Sequence, residues 1–209
     1  MGTKLGNIHV NTSDVNEVLA ALRSYNEESS KAKPNLKFFF GENYNPEFEG
    51  FMNDVDESKS IFFIGEFREG WLSVLNDWFG WGEVESTGKK LSKFIDKNIL
   101  TIAYYDDDLF ELNIFRNGQL LTGHIWCNDS VAEDYQLEIN KGNTDYLINF
   151  FGNENQENVL TLLRTTDCGK AIEEIETLMN IPLWIKSDWL DDMKINEVAS
   201  KYIKYNLNL

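Results

Sequence analysis

The spacing of apolar residues changes character along the chain, from short alternating runs in its first two-thirds to helical stripes in its last third. "LGNIHV" alternates, with Ile8 and Val10 on one face of a strand and His9 on the other. "SDVNEVLAALRSYNEES" then places Val15, Val18, Leu19 and Leu22 at helical spacing, and Asp14 three residues before Glu17 supplies a capping-box-like start. "SSKAKPN" ends this helix, "LKFFFGENY" reads as a strand, and the acidic stretch 45–59 reads as a loop. "SIFFIGEF" and "GWLSVLND" follow as a hairpin across "REG". "WGEVESTGKKLSKFID" is the second helix, with Val84, Leu91, Phe94 and Ile95 facing inward, and "NILTIAYY" is the next strand. Asp106, Asp107 and Asp108 form the turn into a final hairpin over 109–127, whose own turn is the strong Asn117-Gly118 signal.

After Cys127 the pattern becomes irregular, then helical. "TDYLINFF" and "QENVLTLLRT" lead to "GKAIEEIETLMN", where Ala171, Ile172, Ile175, Leu178 and Met179 share a stripe. "INEVASKYIKY" repeats that spacing with Ile195, Val198, Ala199, Tyr202 and Ile203. The order β-α-β-β-β-α-β-β-β, followed by a helical C-terminal third, predicts an α+β fold with an antiparallel sheet. The expected organisation is a sheet domain over 1–130 and a helical region over 131–209 packed on it as one unit.

Pairing outward from a two-residue Asn117-Gly118 turn sets Ile114, Leu112 and Phe110 on the core face and Glu111 opposite His124 on the other. Cys127 takes core parity and reads as a small buried hydrophobe; His124, on the opposite parity, cannot join it as a dyad or a shared metal site. A carboxylate facing an imidazole is acid–base equipment, so Glu111 and His124 are the residues to watch in any enzymatic reading.

Composition narrows the partners. The net charge is −16 and the lysines are scattered, as in "GKKLSK", which removes the basic footprint that nucleic acid or an anionic membrane requires. Such acidity reads first as solubility, and among partners its field favours a basic protein. Two cysteines, two histidines and no C-x-x-C argue against a disulfide framework and against a zinc or iron centre, and no cofactor motif is present. Neither G-x-x-x-x-G-K-[ST], G-x-S-x-G nor G-x-G-x-x-G occurs, and consecutive aspartates do not match a calcium loop. "MGTKLGNIHVNTSDV" has no apolar h-region and misses the myristoylation pattern, and no long apolar run follows, so the expected location is the cytoplasm.

Two aromatic clusters stand out. Trp78, Phe79 and Trp81 fall in the connection before the second helix. Trp184 and Trp189 lie beside Asp188, Asp191 and Asp192 in "IPLWIKSDWLDD". Both read either as covers for the ends of the core or as anchors for a partner. "GWLSVLND", "TGKKLSKFI", "ILTIAYYDDDLFELNIFRNGQL" and "LMNIPLW", in that order across 60–190, resemble a loose family of bacterial cytoplasmic proteins. In charge and in the Ile-Pro element the chain also looks like the acidic immunity proteins of bacterial toxin systems. The clusters read as the contact of a non-enzymatic protein-binding protein, through Trp78, Phe79, Trp81, Trp184, Trp189, Asp188 and Asp191, and the likeness implies that its partner is a basic toxin. The alternative is an enzyme or small-ligand binder with a sheet-face pocket around Glu111 and His124.

Overall fold

The computed structural model describes residues 2–31, 59–191 and 197–207. Among these, seven strands form one antiparallel sheet: β1 (Lys4–Val10), β2 (Ile61–Arg68), β3 (Trp71–Leu75), β4 (Ile99–Tyr105), β5 (Leu109–Arg116), β6 (Gln119–Cys127) and β7 (Ile203–Asn206). Their order is β6-β5-β4-β1-β3-β2-β7. The helices are α1 (Val15–Lys31), α2 (Glu83–Leu91), α3 (Asp129–Asp134), α4 (Thr144–Phe151), α5 (Gln156–Leu162), α6 (Cys168–Met179) and α7 (Glu197–Ser200). The fold is α+β with an antiparallel sheet, and most of the helices follow β6. The strand expected over 36–44 lies outside the described residues.

Local chemistry explains the hairpins. Asn117 and Gly118 both take positive φ (52° and 75°), as a type I′ turn demands. Asp106 and Asp107 do the same (54° and 63°), and the Asp108 amide closes that turn on the Tyr105 carbonyl at 3.0 Å. Aspartate tolerates the left-handed region better than most residues, which is why three can run together there.

Helices cover both faces of the sheet. One face carries Leu5, Leu100, Ile102, Tyr104, Phe110, Leu112, Ile114 and Trp126 against Leu147, Leu162, Ile172 and Ile175 of α4, α5 and α6. The other carries Ile8, Val10, Phe62, Val74 and Ile99 against Val18 and Leu22 of α1 and Val84 and Leu91 of α2. Alternation therefore does not separate core from solvent here: Leu109 to Phe115 of β5 are all buried, Glu111 and Asn113 included.

Three expectations are corrected. β6 carries a bulge at Leu121: Phe115 pairs with Leu120, but Ile114 pairs with Thr122. The extra residue moves Glu111 opposite Ile125 and His124 opposite Leu112, so the two side chains face opposite sides of the sheet. Cys127 still lies on the face away from His124 and is 2% exposed. The second helix stops at Leu91, and the following turns rotate Phe94 outward to 38% exposure, while Ile95 stays buried. The "INEVASKYIKY" stripe does not continue as a helix: among its described residues Glu197–Ser200 is helical, and Ile203–Asn206 pairs with β2 as the edge strand.

Candidate functional site

At one end of the sheet, where β1 begins and β3 ends, a cleft of about 420 Å³ opens between two segments far apart in sequence. One wall is the connection from β3 to α2, with Asn76, Asp77, Trp78, Phe79, Gly80 and Glu83; the other is Lys186, Ser187 and Asp188, with Lys4 at the start of β1 between them.

Asn76 shapes the first wall. Its Nδ2 donates to the carbonyls of Lys59 (3.0 Å) and Ile61 (2.7 Å), and its Oδ1 accepts from the Trp78 amide at 2.9 Å. This side-chain turn reverses the chain immediately after β3 and points successive residues in opposite directions. Phe79 goes inward, 9% exposed, with its ring 6.4 Å from that of Phe62. Trp78 goes outward and is 41% exposed, with the Lys59 ammonium 4.6 Å from its ring centroid. The crossing over β1 is close: a Cβ on Gly6 would stand 3.0 Å from the Phe79 backbone, a tight contact that glycine relieves.

The second wall follows α6. Asn180 ends the helix in the left-handed conformation, and the Leu183 and Trp184 amides donate to the Glu176 carboxylate at 3.0 and 3.3 Å. The Asn7 Nδ2 donates to the Leu183 carbonyl at 2.8 Å, pinning this segment to β1. From there Leu183 and Ile185 alternate into the core, leaving Lys186 at the surface before the 3₁₀ turn Ser187–Trp189.

The charges in the cleft are unevenly matched. Lys186 bonds Asp188 at 2.7 Å, and Lys4 bonds Asp106 of the aspartate turn at 3.1 Å and the Tyr105 hydroxyl at 3.2 Å. Asp77 and Glu83 are exposed and have no ion-pair partner among the described residues. Two cations are thus already neutralised, and two carboxylates are left over.

The sequence-nominated residues are only partly brought together. Trp78, Phe79 and Asp188 line the cleft. Trp81 does not: it is half-buried, with Tyr105 and Tyr135 each 5.5 Å away between ring centroids. Trp184 packs on Tyr104 at 4.6 Å, and Trp189 packs on the helical-side core with the Lys186 ammonium 5.3 Å from its ring. Asp191 is exposed beyond the 3₁₀ turn. The contributions of Lys4, Asn76, Asp77, Glu83, Lys186 and Ser187 had no signature of their own in the sequence.

The Glu111–His124 pocket does not form, because the sheet separates its two halves. Glu111 lies under α2, where its Oε1 accepts from Asn113 Nδ2 at 2.9 Å and binds the Lys141 ammonium, which also reaches Glu85 at 3.5 Å. Burial raises the Glu85 carboxyl above its ordinary range, and the nearby Glu111 charge adds to this. Burial alone would lower Lys141, and its carboxylate partners more than offset that, holding the ammonium above the usual lysine range. His124 sits on the other face against Trp126, ring centroids 4.7 Å apart, and burial pushes its pKa down to about 4. His9, fully buried beside Ser73 at 2.9 Å, is pushed to about 3 by burial. Both imidazoles are neutral at pH 7.

Among the described residues no group of three or more His, Cys, Asp or Glu side chains is gathered as a metal ion would need, and no helix is long and apolar enough to cross a membrane. No family model, curated protein or solved structure matches the chain.

Proposed function

We propose that the protein works by binding another protein, a basic one, and that the cleft beside Trp78 is the docking site. The observation that carries this reading is the convergence of two aromatic and acidic segments, more than a hundred residues apart, around a cleft that leaves Trp78 41% exposed. Large aromatic side chains in partly enclosed positions are the usual anchors of protein interfaces, since burying them on binding gains most of the available energy. The aspartate turn reaches the same end of the sheet through the Lys4–Asp106 pair. Its carboxylates, with Asp77, Glu83 and Asp188, create a field that draws a positively charged partner and repels an acidic one. The overall charge of −16 acts in the same direction.

The likeness to bacterial immunity proteins extends this proposal to a biological role: neutralisation of a basic toxin by occlusion, in the cytoplasm. The enzymatic alternative loses its main support, because Glu111 and His124 do not share a pocket.

The test is site-specific photo-cross-linking in cells of the source organism, with a photoreactive phenylalanine at position 78 and, as controls, at 94 and 120, which are also exposed. The proposal expects a discrete adduct from position 78 whose partner has a net positive charge, displaced by excess unlabelled protein, and none from the controls. Equal adducts from all three positions, or an acidic partner at 78, would overturn it.

A further inference from the structure

We infer that the cleft beside Trp78 receives a basic side chain, an arginine or lysine, from the docked protein; this rests on the docking reading above. Three independent features of the cleft point to that chemistry. The first is charge: Asp77 and Glu83 line it without an ion-pair partner among the described residues, whereas Lys4 and Lys186 are held by Asp106 and Asp188. An entering apolar side chain would strip water from two carboxylates and return nothing, while a cation compensates both. The second is the ring. The Lys59 ammonium already lies 4.6 Å from the Trp78 centroid, so this indole, in a residue 41% exposed, sits where a cation is favourable.

The third feature is Ser187. It is only 5% exposed yet lines the cleft, and its hydroxyl can accept from the N–H groups of a guanidinium or ammonium. The volume of about 420 Å³ accommodates a long side chain with some water. Basic residues reach such depth because their apolar stems pass the rim while the charged head finds the carboxylates.

The experiment uses isotopically labelled full-length protein titrated with a capped tri-arginine peptide and with the capped tri-citrulline peptide, the neutral near-isostere. The amide of Ser187 and the indole of Trp78 are followed by NMR. Saturable shifts at both positions with tri-arginine, and none with tri-citrulline, are expected. Trp78→Ala, read at the Ser187 amide, should weaken binding about two- to five-fold. Asp77→Asn combined with Glu83→Gln should weaken it at least as much with melting unchanged, and Asp145→Asn in α4 should change nothing. Equal response to tri-citrulline, no saturable response, or undiminished affinity in the Asp77/Glu83 double variant would overturn the inference. The cross-linking at position 78 separates this failure from that of the docking proposal: a basic partner captured there without any arginine response means docking by the aromatic ring alone.

Discussion

Replacing Lys141 by methionine removes the cation that serves Glu111 while keeping most of the side chain's volume. Lys141 arrives on a strap that covers the outer edge of β6, where the Ile125 amide donates to the Ile139 carbonyl at 2.8 Å and the Lys141 amide to the Gly123 carbonyl at 3.2 Å. The Glu111 side chain is 2% exposed and that of Lys141 19%, so solvent cannot take over the lost interaction. Leaving one half of a buried pair uncompensated costs about 3–5 kcal/mol. Lys141→Met should therefore destabilise by about 3–5 kcal/mol at pH 7. Adding Glu111→Gln removes the stranded charge and should restore at least half the loss. Urea denaturation at pH 7.5 measures this; with a slope of about 1–3 kcal/mol per molar, the midpoint should fall by at least ~1 M. A midpoint within ~0.3 M of the parent, or a double variant no better than the single one, would refute the argument.

The remaining predictions concern acid, packing and the two exposed-connection tryptophans. His9 and His124 have folded-state pKa values below their ordinary value, so the stability they contribute is present above pH ~6.5 and is lost as pH falls towards 3 and 4; at pH 5 the loss is on the order of 2 kcal/mol for each. Denaturation curves at pH 7.5 and 5 should show it, and His124→Gln should reduce the difference by about half. Gly88→Ala should destabilise by about 1–3 kcal/mol, because the new Cβ would stand 2.2 Å from Thr101 Cγ2 where α2 rests on β4. Gly142→Ala should behave similarly, since its Cβ would stand 2.3 Å from Thr122 Cα and lift the strap; hydrogen exchange of the Ile125 amide reads that directly. Trp81→Ala should cost ~2 kcal/mol or more by calorimetry, as it strips a ring from Tyr105 and Tyr135, whereas Trp78→Ala should leave melting within a degree or two.

What the sequence showed and what it hid divide by the range of the interaction. The Asn117-Gly118 and aspartate turns, the start of α1 and the stripe on α6 depend on residues a few positions apart, and each was legible. The bulge at Leu121 was not: an extra residue between good strand formers leaves the alternation of "LLTGHIW" intact on paper while reversing its faces in space. Alternation also misled because it assumes one wet face. Glu111 and Asn113 occupy the polar parity of β5, yet α2 and the Lys141 strap bury them. "INEVASKYIKY" fits a helical stripe up to Ser200, and the open edge of β2 then recruits Ile203–Asn206 as a strand, a demand that no local spacing records. The cleft was half visible. Trp78 and Asp188 were nominated separately for their clusters, but only the return of the chain after α6 places them together with Lys4 and Ser187.

The most direct test of the central claim is the affinity of Trp78→Ala for the partner captured at position 78, measured by calorimetry beside the wild type and Trp81→Ala. Trp78→Ala should bind about thirty-fold more weakly or worse, the equivalent of ~2 kcal/mol for an interface anchor, with its melting temperature unchanged. Binding by Trp78→Ala as tight as that of the wild type, with both proteins fully folded, would contradict it.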